Sequence, residues 1–207
     1  LIVIGDVKRG DIGSSAEHYA AGHLIDPDFT DCRELGSPDA ITVNAWCGAD
    51  GIVPFAETAA ANGKGLFVWV RASNPSSDAF QGQTLEGGGT VAESLGRIVA
   101  EAGDAEDCVG DRGYSLIGAV VGATKPEDAA RLRRALPRQF FLVPGFGAQG
   151  GTDDDIRPCF NPDGRGALVT ASRSITYAYQ RTDTEDWQGA IEQAAVEMKQ
   201  QVNAAIG

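Results

Sequence analysis

The sequence is poor in the residues that hold metals and in positive charge. Among 207 residues there are two histidines and four cysteines. Cys32, Cys47, Cys108 and Cys159 are scattered with no C-x-x-C pair, and His18 and His23, five apart on a predicted helix, do not share a face as ligands at i and i+4 would. The spacing of a zinc site is therefore missing, and the cysteines read as reduced structural thiols. No apolar run approaches the roughly 20 residues of a membrane span, and the opening Leu-Ile-Val-Ile-Gly-Asp lacks the basic head of a signal peptide. A cytoplasmic protein is expected. Lysine and arginine total 17 against 29 aspartates and glutamates, a net charge of −12. A field of that sign repels nucleic acid and anionic membranes. A small anionic substrate stays compatible with it, because local cations in a cleft outweigh charge screened over about 10 Å.

What is abundant is glycine, 27 residues, and an ordinary globular balance of 43% hydrophobic and 22% charged residues. Short β-rich apolar runs recur at Leu1–Ile4, Ala40–Val43, Leu66–Val70, Ile117–Val121, Phe140–Val143 and Ala167–Val169. Apolar on both faces, they read as buried parallel strands. Helical spacing of apolar residues fills Ser15–Leu24, Gly51–Asn62, Thr90–Ala102, Pro126–Leu136 and Thr184–Ile206. Pro126-Glu127-Asp128 is a start signal and Asn62-Gly63 a stop signal. This alternation is α/β, either a doubly wound sheet or a (β/α)8 barrel. Polar residues follow nearly every strand, among them Asp6, Lys8, Asn44, Ser73, Thr124, Pro144 and Arg173. Only in a barrel do all strand ends converge on one mouth, so a barrel is expected, residues 1–207 forming a single domain. Two long Gly-rich stretches, residues 73–89 and 144–165, lie at that mouth and read as lids.

Three constellations carry chemistry. In Asp6-Val7-Lys8-Arg9-Gly10-Asp11-Ile12-Gly13, period-two alternation aims Asp6 and Lys8 into the mouth, with Asp11 past the turn. A lysine flanked by carboxylates keeps its charge and suits stabilising, then protonating, a carbanion; a surface ion pair has the same spacing. Pro144-Gly145-Phe146-Gly147-Ala148-Gln149-Gly150-Gly151, with Arg173 one strand later, has the composition of a phosphate site at the last two strands of a barrel. Arg71-Ala72-Ser73-Asn74-Pro75 ends the Leu66–Val70 strand with a hydroxyl and an amide, groups that can read a heterocycle's edge or can simply cap a turn.

Taken together and in this order, these motifs and Ser172-Arg173-Ser174-Ile175 strongly resemble the orotidine 5′-monophosphate (OMP) decarboxylases, with Lys-Arg-Gly-Asp-Ile-Gly and Thr42-Val43-Asn44 resembling their longer bacterial subgroup. The resemblance implies a homodimeric (β/α)8 TIM barrel that converts OMP to UMP and CO2 without metal or organic cofactor. It makes Lys8 the acid that protonates C6, sets Asp6 beside the scissile carboxylate, and sends Asp11 and Ser15, where many relatives have Thr, into the neighbouring subunit's site. Ser73 then contacts the pyrimidine, Pro144 lines the pocket, and Gln149 and Arg173 hold the phosphate. Relatives begin with two further strands, one carrying an Asp for the ribose and one a Lys that completes a Lys-Asp-Lys-Asp array. The first two βα units are therefore expected to be missing from this chain, which carries about six. Two rivals share the motifs: a metal-dependent sugar-phosphate decarboxylase or synthase of the same superfamily, and a catalytically inactive nucleotide-binding barrel.

Overall fold

A computed structural model gives the structure of the protein and describes all residues except 29–35, 148 and 183; Cys32 lies outside the described residues. The elements alternate as β1 (Ile4–Arg9), α1 (Gly13–Leu24), β2 (Ala40–Asn44), α2 (Val53–Ala61), β3 (Gly65–Arg71), α3 (Val91–Gly103), β4 (Ser115–Val121), α4 (Pro126–Ala135), β5 (Gln139–Val143), α5 (Asp153–Ile156), β6 (Ala167–Val169), α6 (Arg173–Thr176), α7 (Tyr179–Thr182) and α8 (Trp187–Ile206). The six strands form one sheet in the order β1-β2-β3-β4-β5-β6, every pairing parallel. Consecutive strand order with a helix after each strand is the winding of a (β/α)8 barrel, of which this chain carries six units.

Alternation along the strands sorts side chains to two sides. Ile41, Val43, Leu66, Val68, Val70, Ile117, Ala119, Val121, Phe141 and Val143 are buried in the larger core with the helices' Ala20, Phe55, Val99 and Leu132. Their neighbours Ala40, Phe67, Val120 and Leu142, with Ile4, Trp69 and Phe140 against them, form a second cluster on the inner face. Both faces of the central strands are thus apolar, which is why the sequence reads as unbroken apolar runs there.

Four of the five inner strands fall within a residue of their expected limits, and β4 starts two residues earlier. The first strand does not match. Leu1 and Ile2 are exposed and outside the ladder, and pairing starts at Ile4 opposite Ala40. The polar half of the segment, Asp6 to Arg9, is the strand proper. Both long stretches contain local structure: 3-10 turns at Pro75–Ala79 and Arg157–Cys159, and α5, where Thr152 and Asp155 form a capping box. The acidic run 153–155 is therefore the first turn of a helix, where carboxylates oppose the positive end of the dipole.

At the N-terminal end of the strands, away from the polar mouth, Arg133 of α4 is buried and donates to the carbonyls of Gln139 (2.7 Å), Gly166 (3.0 Å) and Cys159 (3.2 Å) while lying 3.9 Å over the Phe141 ring. Burial pushes its guanidinium down to about 10, still a cation at neutral pH, and its Nε has no partner among the described residues. One side chain thus ties α4 to the starts of β5 and β6. Arg133→Met leaves three carbonyls without that donor and is expected to lower stability by about 2–4 kcal/mol. The check is the urea midpoint; a midpoint equal to that of the unaltered protein contradicts the clamp.

Candidate active site

The strand ends β1, β3, β4, β5 and β6 surround a cleft of about 350 Å3 lined by Ile4, Asp6, Lys8, Trp69, Ala72, Ser73, Asn74, Val120, Leu142, Pro144, Thr170 and Ser172. Its floor is the inner apolar cluster and its rim is polar, the usual make-up of a small-molecule site. Among the described residues, Asp6 and Lys8 supply its only ionisable side chains. Lys8 Nζ lies 2.5 Å from Asp6 Oδ2 and 5.8 Å from the centroid of the Trp69 ring. Partial burial pushes the Asp6 carboxyl up, but hydrogen bonds from Lys8 and Thr42 and the charge of Lys8 outweigh it and hold the group below the ordinary aspartate range. The pair is a fixed dipole over an apolar floor.

The Ser73 side is built by packing. Gly122 sits so close beneath Ser73 that a Cβ there would lie 2.6 Å from Ser73 Cα. Thr124 Oγ1 donates to the Ser73 carbonyl (2.6 Å), and Ser73 Oγ donates to Gln149 Oε1 (2.7 Å). Upstream of Ser73, Arg71 is buried and its guanidinium joins Asp128 (2.6 Å), Ser77 Oγ (2.6 Å) and Asp78; Asp78 also takes Lys125 (2.7 Å). Burial pushes the Arg71 guanidinium down, but the two carboxylates more than compensate and raise it. This network pins the 3-10 turn after β3 to α4, with Gln81 Oε1 accepting from Ala72 N–H (2.7 Å).

The Gly-rich loop after β5 closes on itself. Gly145, Gly147 and Gly150 have φ of 99°, 67° and 92°, values that only glycine adopts readily. The N–H groups of Gly147, Gly150 and Gly151 donate to carbonyls within the loop. Those three donors are already engaged, so an oxyanion at this loop would be met by other groups. Gln149 is exposed at the loop's tip, and Arg173 is exposed at the start of α6, next to the cleft residue Ser172.

Of the residues singled out from sequence, Asp6, Lys8, Ser73 and Pro144 therefore line one cleft, and Gln149 and Arg173 flank it. Asp11 and Ser15 are not among its lining. Asp11 accepts a hydrogen bond from Ile12 N–H (2.8 Å), and Ser15 is exposed on α1. Among the described residues, no group of three or more His, Cys, Asp or Glu side chains is placed to share a metal ion. Trp69 was not singled out from sequence, and Thr42, Arg71 and Thr124 were noted there without the roles they take in building the site. A threonine inside the apolar run Ala-Ile-Thr-Val-Asn, in phase with the inward positions, was the available signal for Thr42.

A partial (β/α)8 barrel with a cation, a carboxylate and a glycine loop at the strand C-termini is a phosphate-ligand enzyme scaffold. The model of the Orotidine 5′-phosphate decarboxylase / HUMPS family matches residues 1–185, and the chain belongs to that family. It is 44% identical over 207 residues to an orotidine 5′-phosphate decarboxylase of Caldicellulosiruptor bescii and 40% identical over 210 residues to that of Rhodopirellula baltica, covering 100% and 98% of this chain. It spans 67% of each relative's length. Among solved structures, that of a putative orotidine 5′-phosphate decarboxylase from Streptomyces avermitilis superposes with a TM-score of 0.75 at 29% identity, covering 99% of this chain and 65% of that one. A putative orotidine-monophosphate-decarboxylase from Toxoplasma gondii gives 0.74 at 28%, covering 100% and 69%.

Proposed function

We propose that the protein is a carboxy-lyase of pyrimidine biosynthesis that decarboxylates OMP to UMP, with Lys8 as the proton donor. The observation that carries this reading is the Asp6–Lys8 pair standing over the apolar floor of a cleft whose opposite wall is Ser73, in a chain of this family. Breaking the C6–carboxylate bond leaves its electron pair on C6, in the ring plane and out of reach of the π-system. Stabilisation must then come from charge fixed in advance where the pair develops. The ammonium of Lys8 supplies that charge, then gives C6 its proton, so that one proton is taken up from solvent for each CO2 released. Asp6 holds the lysine in place and sets a carboxylate next to the leaving one. Ser73 takes the pyrimidine, Pro144 closes the pocket beside it, and Gln149 and Arg173 take the phosphate. Binding energy from that remote phosphate is then available to order the loops around C6.

Asp11 and Ser15 complete a neighbouring subunit's site in this reading. Ile12 beside Asp11 is exposed, and so are Trp46 and Phe80, whose ring centroids lie 5.0 Å apart. Such a surface suits a second copy. With no helix among the described residues long and apolar enough to cross a membrane, a cytoplasmic enzyme fits.

In the full-length protein, Lys8→Ala is expected to lower CO2 release from OMP by at least about 10^3-fold while UMP still binds; near-normal turnover refutes the assignment. Arg173→Ala is expected to weaken UMP inhibition by about 10–100-fold, as befits a charge-assisted phosphate contact, and an unchanged inhibition constant removes Arg173 from the site. Sedimentation should show a dimer at assay concentration, and an active monomer contradicts the shared site.

A further inference from the structure

Thr42 is fully buried in the middle of β2, on the inward side with Ala40 and Asn44. Opposite it the ladder is irregular. Gly5 pairs with Ile41 and Arg9 with Val43, so that four steps along β1 match two along β2. Within that bulge Lys8 adopts φ 47°, the one positive φ outside glycine among the described residues. A left-handed lysine costs about 1–2 kcal/mol and persists only where its surroundings fix it. The bulge also removes the ladder carbonyl that the Lys8 N–H would meet. Its acceptor is Thr42 Oγ1 at 2.9 Å, and the same hydroxyl donates to Asp6 Oδ1 at 2.9 Å. Asp6 Oδ2 is then turned to Lys8 Nζ at 2.5 Å.

We propose that Thr42 is a positioning residue for the decarboxylation, its single hydroxyl setting both the backbone of Lys8 and the carboxylate of Asp6. The inference rests on the OMP decarboxylase reading above. The hydroxyl's two roles fix one another: because its oxygen accepts from Lys8 N–H, its own hydrogen is directed to Asp6, so the polarity of the chain N–H, O–H, carboxylate is unambiguous. Valine has the same shape and neither capacity. It would leave the half-buried Lys8 N–H without its acceptor and free Asp6 to rotate, and displacement of a reacting group by about 1 Å costs on the order of 10^2-fold in rate.

The test compares Thr42→Val and Thr42→Ser in the full-length protein. For Thr42→Val, kcat for CO2 release should fall by about 30–100-fold with KM for OMP within about threefold, and Thr42→Ser should restore kcat to within about threefold of the unaltered protein. A merely structural role would instead lower the melting temperature in both variants and leave kcat per folded molecule unmoved. The second readout needs no turnover: carboxyl carbon NMR should show Asp6 titrating at higher pH in Thr42→Val and unshifted in Thr42→Ser. Asp6 faces Lys8 from its own strand and the Thr42 hydroxyl from β2, and no other ionisable side chain lines the cleft, so the shift has no competing source among the described residues. Should Thr42→Val not fold, Thr42→Ala serves with the same expectations. An unchanged kcat or an unchanged Asp6 titration overturns the proposal. If the unaltered protein releases no CO2, the decarboxylase reading falls, and the Asp6 titration alone decides whether Thr42 holds the pair.

Discussion

An ammonium and a carboxylate 2.5 Å apart at the end of β1 set the terms for the rest of the molecule. Two charges on one strand, two residues apart, would swing freely at an ordinary strand end and be worth little, since exposed pairs contribute at most about 1 kcal/mol. Here the strand is bulged, one residue is left-handed, and a buried threonine on the next strand holds both partners. The sheet gives up regular pairing over residues 5–9 to do this. The apolar floor of Ile4, Trp69, Val120 and Leu142 supplies the complementary condition, a low-dielectric surface on one side of a pair whose other side is open to solvent.

The opposite wall follows a different strategy. Ser73 is placed by close packing on Gly122 and by a hydroxyl from Thr124, while the charge that fixes its loop, the Arg71–Asp78–Asp128 network, sits behind the site. Charge is thus exposed to the cleft only on the β1 side. Across from it stand neutral donors and acceptors suited to an uncharged heterocycle. On the proposed reading the phosphate falls to Arg173 and Gln149, exposed side chains that can adjust to a ligand, in contrast with the β1 pair held by Thr42. At the other end of the strands Arg133 ties α4 to the starts of β5 and β6.

How much of this the sequence disclosed depends on how local the cause was. Strands β2 to β5 were legible because both their faces are largely buried, and the helices because their starts and stops lie within a few residues, as at Thr90, whose capping box with Glu93 opens α3. The first strand was misread for the same physical reason. Leu1–Ile4 is the apolar part, but the strand runs through the polar residues that face the cleft. Asp6 and Lys8 were found by alternation, although the bulge that presents them was not, since it depends on a partner 34 residues away. Arg71 looked like a strand end beside a motif; its buried role needs Asp128, 57 residues on. The engaged N–H groups of the glycine loop could not be inferred from composition, because glycine content gives the freedom to turn and says nothing of where the donors point.

In the proposed reaction the cleft generates an electron pair at C6 and quenches it with a proton. Full-length protein turned over with OMP in D2O tests this most directly. UMP should form with one deuterium at C6 for each CO2 released, and no deuterium elsewhere on the ring. Absence of CO2 release, or UMP carrying only hydrogen at C6, would contradict it.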